Sequence, residues 1–182
     1  MEEEEDDDFD LLEVEGFLSV LESNIPPHLH DLAAAQLGDV DALSCGRWGY
    51  GSLHLTCLYG YLPCVQLLLE RGAPLEAKDE DGAIPLHDAC TGGFMEIVQL
   101  LIYEAPDSDS VRRMLDAVDA DGDTPLHHAT TGDHLDIVRL LLASGASPSK
   151  ANTHEKTPGD LAELDAKMKR VLVDACSSAG RQ

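Results

Sequence analysis

The chain has 182 residues, enough for one substantial domain and a tail, and a formal net charge of −23 from 35 acids against 12 bases. The first 46 residues hold 14 acids and no Lys or Arg, and the remainder holds 21 acids and 12 bases, so both parts repel phosphate and exclude nucleic acid as a partner. No run of about 18 apolar residues offers a membrane span, and the acidic start is the opposite of a basic signal or transit peptide.

Residues 2–8 are all Glu or Asp, and this run, within a tail over 1–9, is expected to be disordered and self-repelling. Residues 10–27 read as an amphipathic helix and a proline linker. Leu11, Val14, Leu18 and Leu21 recur at helical spacing with acids on the other faces, and Pro26-Pro27 ends the pattern. Gly16 weakens that helix by about 1 kcal/mol relative to Ala. Leu11, Val14, Leu18 and Val20 also loosely fit a nuclear export pattern. Two roles stay open for this segment: covering the apolar edge of the following domain, or, with the acidic tail, attracting a basic client through long-range charge.

Residues 28–178 are dominated by a recurring signature, followed by a short tail over 179–182. Thr124-Pro125-Leu126-His127 reappears as Ile84-Pro85-Leu86-His87 and Gly51-Ser52-Leu53-His54, and decays to Thr157-Pro158-Gly159-Asp160. The marker positions 54, 87, 127 and 160 are 33, 40 and 33 residues apart, a period of 33 with one seven-residue insertion. Thr124 suits a helix N-cap and Pro125 the first helical position, where a missing N–H costs nothing. The second helix of the unit carries Ile137, Val138, Leu140, Leu141 and Leu142, too apolar to face water. Gly72 and Gly145 follow such helices where a left-handed residue is wanted. No unit can bury its apolar face alone, so neighbours must stack.

The departures from this period are equally specific. Leu32 to Leu43 suit a first unit, but placing Leu32 at the marker leaves 22 residues to His54, eleven short of a full unit. The intervening Ser44 to Gly51 has three glycines and no helical stripe, so the first unit is expected to be truncated. The insertion between Tyr103 and Leu115 contains Pro106, Ser108, Ser110 and the basic pair Arg112-Arg113, and is expected to form a longer finger or loop. At the far end Leu161, Leu164, Met168, Val171 and Leu172 can form an inner face, with Lys167, Lys169 and Arg170 outward.

The signature, the Asp-x-Asp-Gly runs before it (Asp79 to Gly82 and Asp119 to Gly122) and the paired helix patterns after it resemble the ankyrin repeat over roughly residues 30 to 175. The resemblance implies an all-α solenoid of stacked helix–turn–helix units with β-turn fingers. It further implies a concave surface, made by finger tips and first helices, that binds a protein segment. By position, the finger-tip sites would be Tyr50, Asp81, Ala83, Asp121, Asp123 and Lys156, and the helix sites Leu55, Leu58, Tyr59, Asp88, Thr91, His128 and Thr131. Trp48, Tyr50 and Tyr59 beside the acids suit a partner with Lys or Arg plus apolar anchors, although Asp81 and Asp121 also suit the turns themselves.

Catalytic, cofactor and metal sites are not expected. His54, His87 and His127 occupy the marker, where an imidazole bonds neighbouring backbone. Neither His87, Asp88 and Cys90 nor His127, His128, Asp133 and His134 has a recognised ligand spacing. The five cysteines (Cys45, Cys57, Cys64, Cys90 and Cys176) form no C-x-x-C pair and point to reduced thiols in cytosol or nucleus. The expected function is a non-enzymatic, monomeric adaptor or scaffold binding a protein partner. The alternative is an acidic escort for a basic client such as a ribosomal protein or histone; an enzyme is a distant third.

Overall fold

The computed structural model describes residues 51–162 and 166–179. The acidic tail, the helix expected over 10–22 and the shortened first unit with Trp48 and Tyr50 lie outside the described residues.

Three helix pairs follow the marker positions: α1 (Ser52–Leu58) with α2 (Leu62–Glu70), α3 (Pro85–Gly92) with α4 (Met95–Tyr103), and α6 (Pro125–Thr131) with α7 (Leu135–Ala143). Between the second and third pairs lies α5 (Ser108–Asp116), and the chain continues through α8 (Pro158–Leu161) and α9 (Ala166–Ala179). First helices stack on first helices (α1 on α3, α3 on α6, α6 on α8), and second on second (α2 on α4, α4 on α7, α7 on α9). One continuous core runs between the two rows through Leu53, Val65, Leu86, Ile97, Leu101, Leu126, Ile137, Leu141, Met168 and Leu172. This is the stacked solenoid expected from the period, and it is all-helical among the described residues.

The helices begin and end for local reasons. Pro85, Pro125 and Pro158 each open a first helix, where their fixed φ is preorganised. Small buried residues two positions after the marker, Thr56, Ala89 and Ala129, let the first helices approach closely. Gly72 and Gly145 take φ of +81° and +103° after α2 and α7, as expected. The N–H of Ala73 then reaches Leu68 O, and that of Ala146 reaches Leu141 O, both at 2.9 Å. In α9, Met168 and Leu172 are buried while Lys167, Lys169 and Arg170 are exposed, so the polar outer face falls where the pattern put it.

The insertion departs from the sequence expectation, because it is a helix rather than a longer finger or loop. Asp107 caps α5, its Oδ1 accepting the Ser110 N–H at 2.6 Å. Val111, Met114 and Leu115 form a stripe at i, i+3 and i+4, with Met114 and Leu115 buried. Arg113 pairs with Glu76 at 2.9 Å and also donates to Ser110 Oγ at 2.7 Å. Proline and serines read as loop signals, but here they precede or open a helix, where both are at home.

Candidate protein-binding surface

The fingers are built from one repeated turn. Asp79 Oδ1 accepts the N–H groups of Asp81 and Ala83 at 3.0 and 2.8 Å. Asp119 Oδ1 does the same for Asp121 and Asp123 at 3.0 and 2.9 Å, and Asn152 Oδ1 for His154 and Lys156 at 3.0 Å each. Adjacent fingers are then laced by backbone: Ala120 N–H to Asp81 O at 2.7 Å, and Thr153 N–H to Asp121 O at 2.9 Å. Short Asx side chains hold their own downstream N–H groups, which frees the finger carbonyls for the neighbour.

The marker histidines join each unit to the next. Nε2 of His54, His87 and His127 lies 3.2, 3.1 and 3.2 Å from the carbonyls of Ala83, Asp123 and Lys156 in the following finger. A carbonyl only accepts, so Nε2 carries the proton and Nδ1 is the acceptor. His87 Nδ1 accordingly accepts the Ile84 N–H, and His127 Nδ1 the Thr124 N–H, both at 3.1 Å. Burial, with His128 nearby, lowers the His87 pKa to about 4, so this ring works as a neutral strut. In the decayed marker Asp160 takes over locally, accepting the Thr157 N–H at 2.9 Å and its hydroxyl at 2.7 Å. Among the described residues no further finger follows there, so a carboxylate serves where an imidazole would have nothing to reach.

On this frame the residues expected in the groove separate into three groups. Thr91 and Thr131 are exposed at the same position of successive first helices, Tyr59 is exposed one position further on, at the C-cap of α1, where the later units carry Gly92 and Gly132, and Asp81 and Asp121 are exposed at successive finger tips. Leu55, Leu58, Asp123 and His128 are half-buried. Asp123 Oδ1 accepts from Asn152 Nδ2 at 2.7 Å, while His128 spans Thr91 Oγ1 and Asp119 Oδ2 at 2.9 and 2.8 Å. His128 also stands edge-on to His87, with ring centroids 5.2 Å apart. Asp88 and Ala83 differ from the expectation. Both are buried: Ala83 underlies its finger and gives its carbonyl to His54, and Asp88 is only 9% exposed.

Asp88 and His128 occupy the same position in successive units, each nine residues after a turn aspartate, Asp79 or Asp119. Their electrostatics are opposite. Burial alone would raise Asp119, but hydrogen bonds from His128 and the Asp123 N–H outweigh it and hold the carboxylate below its ordinary range. Asp88 has no such donor. Burial first, and then the Asp79 charge, raise its pKa to about 7. Reading the chain by spacing alone missed Asp79, Asp119 and Asn152 as the organisers of the fingers. Aligning the units at the marker would have exposed both the shared Asx position and the exchange of Asp88 for His128.

Comparison with known proteins agrees with this architecture. The family model described as ankyrin repeats (3 copies) matches residues 25–111 and 53–152. The chain is 42% identical over 62 residues to protein phosphatase 1 regulatory subunit 27 of Mus musculus and of Homo sapiens, covering 34% of this chain and 40% of each relative. It is 36% identical over 73 residues to B-cell lymphoma 3 protein of Homo sapiens, covering 38% of this chain and 16% of that protein. The chain thus spans less than half the length of these relatives.

Proposed function

This chain belongs to the ankyrin-repeat family, and we propose that it is a non-enzymatic module that holds a segment of a partner protein along its fingers and first helices. The observation that carries this reading is the repetition of unburied side chains at matching positions, Thr91 and Thr131 in one row and Asp81 and Asp121 in another, with Tyr59 exposed where the first helix of the unit before them ends. Side chains the core does not use, set at the spacing of the units on a stiff frame, suit an extended segment. Tyr59, 48% exposed and with its ring centroid 6.3 Å from that of Tyr61, supplies an aromatic anchor at one end. The carboxylates favour a segment bearing Lys or Arg. Two relatives are named regulatory subunits, in keeping with action by contact rather than turnover.

The test places a photo-crosslinking residue at Tyr59, Thr131 or, as a control on the terminal helix, Val173. Partner peptides linked at the first two sites and absent at the third support the groove. Equal linking at all three, or only at Val173, refutes it. The net charge of −23 favours a second reading, an acidic escort for a basic client. In that case the linked partner is a basic nucleic-acid-binding protein and is lost steeply as salt rises. A partner retained at high salt supports the adaptor.

A further inference from the structure

The fold brings His54 on α1 to two side chains of the next unit, Asp79 in its finger and Asp88 on α3. One ring nitrogen of His54 and one carboxylate oxygen from each aspartate all lie within 4.8 Å of one another. Asp79 Oδ1 is held by the Asp81 and Ala83 N–H groups at 3.0 and 2.8 Å, which fixes this carboxylate and leaves Oδ2 for another interaction. His54 is 2% exposed, and its Nε2–H donates to the Ala83 carbonyl at 3.2 Å. Its imidazole is therefore oriented by a backbone hydrogen bond, and burial favours the neutral form in which histidine ligates metals.

Among the described residues, the buried side-chain atoms without a hydrogen-bond partner are His54 Nδ1 and Asp88 Oδ2. Both atoms are on residues of this trio. An unpaired buried polar atom is costly, and a carboxylate oxygen more so, so two in one cluster of nitrogen and oxygen donors require a physical reason. A second trio, Asp119, Asp123 and His128, meets the same 4.8 Å limit and shows the alternative. There His128 bonds Asp119 Oδ2 at 2.8 Å and Asp123 Oδ1 accepts from Asn152 at 2.7 Å, so the protein satisfies that cluster itself.

We propose that His54, Asp79 and Asp88 bind one divalent first-row transition ion of the zinc class. A set of oxygens alone would suit magnesium or calcium; one imidazole with two carboxylates moves the preference toward zinc. Three protein ligands leave a fourth position for water. The ion clamps α1 to the finger and first helix of the next unit, beside the end of the groove that carries Tyr59.

The test uses the full chain, reduced and freed of metal by a chelator that is then removed, titrated with Zn²⁺ by calorimetry and with Co²⁺ by absorption. The wild type is expected to bind one equivalent through nitrogen and oxygen, without a thiolate-to-cobalt charge-transfer band, and its thermal midpoint to rise with Zn²⁺. Asp88→Asn, with folding checked by circular dichroism, should lose at least tenfold in affinity and the thermal shift. His128→Gln, in the satisfied trio, should keep both. Wild-type affinity in Asp88→Asn overturns the proposal, as does a charge-transfer band for the bound equivalent or the lack of any saturable equivalent in the wild type.

Discussion

Replacing Asp88 with asparagine is expected to stabilise the metal-free protein above neutral pH, although it removes a side chain from the interior. Asp88 is 9% exposed, its Oδ2 has no partner, and Asp79 faces it. Its pKa rises from the ordinary 3.8 to about 7. A shift of about three units corresponds to a ceiling of about 4 kcal/mol for keeping the ionised form in the folded state. Asparagine has its own desolvation cost, which reduces the expected gain to about 2 kcal/mol, and its amide can donate to Asp79 much as His128 does to Asp119. Because the folded pKa lies above the unfolded one, the folded wild type holds an extra proton between these values. The contribution of Asp88 to stability is full below pH 3.8 and is lost as pH rises through about 7. The advantage of Asp88→Asn should therefore be small in acid and grow to a plateau above neutrality. Urea unfolding of both proteins in chelator, across pH 5 to 8, measures it, and the difference cancels the other titrating groups. A difference that stays flat with pH, or a less stable variant at pH 8, would refute the reasoning.

The remaining predictions probe the frame. Leu101→Ala, at a fully buried position in the second row of helices, should cost about 3–5 kcal/mol in urea unfolding. Gly60→Ala and Gly72→Ala both force a left-handed residue, at φ +79° and +81°, but only the former would overlap the Phe94 ring. The former should cost about 2–4 kcal/mol and the latter about 1 kcal/mol; equal losses would show that the ring yields freely. In α5, Met114→Ala should cost about 2–4 kcal/mol, whereas Arg113→Ala, which breaks an exposed pair with Glu76, should leave the unfolding midpoint nearly unchanged. Cys64, pushed up to about 11 by burial, and the buried Cys57 and Cys90 should resist alkylation in the folded state, while exposed Cys176 reacts; peptide mapping after a brief pulse reads this directly.

Much of the frame was legible because a repeat must state its requirements each time. Pro85, Pro125 and Pro158 mark helix starts, Gly72 and Gly145 mark helix ends, and the Leu-rich runs can only be core. The insertion was harder, since Pro106 and Ser108 are loop signals until Asp107 is seen capping a helix. The groove was legible only in part. A position in a repeat says which way a residue faces on average, and Tyr59, Thr91 and Thr131 are indeed exposed. Asp88 and Ala83, expected on the same surface, are instead buried.

The sequence by itself determined the period, the unit, the need to stack and the excess of negative charge, because each of these repeats locally or sums over the chain. The tertiary structure alone decided which polar atoms meet. His54 meets Asp79 and Asp88 because a finger from one unit folds over the first helix of the one before it, and His128 reaches Thr91 because successive first helices stack. That contact is made in space between units whose spacing the sequence gives but whose side-chain partners it does not name. For this reason the marker histidines could be read as struts from the sequence, while the unpaired carboxylate beside one of them could not.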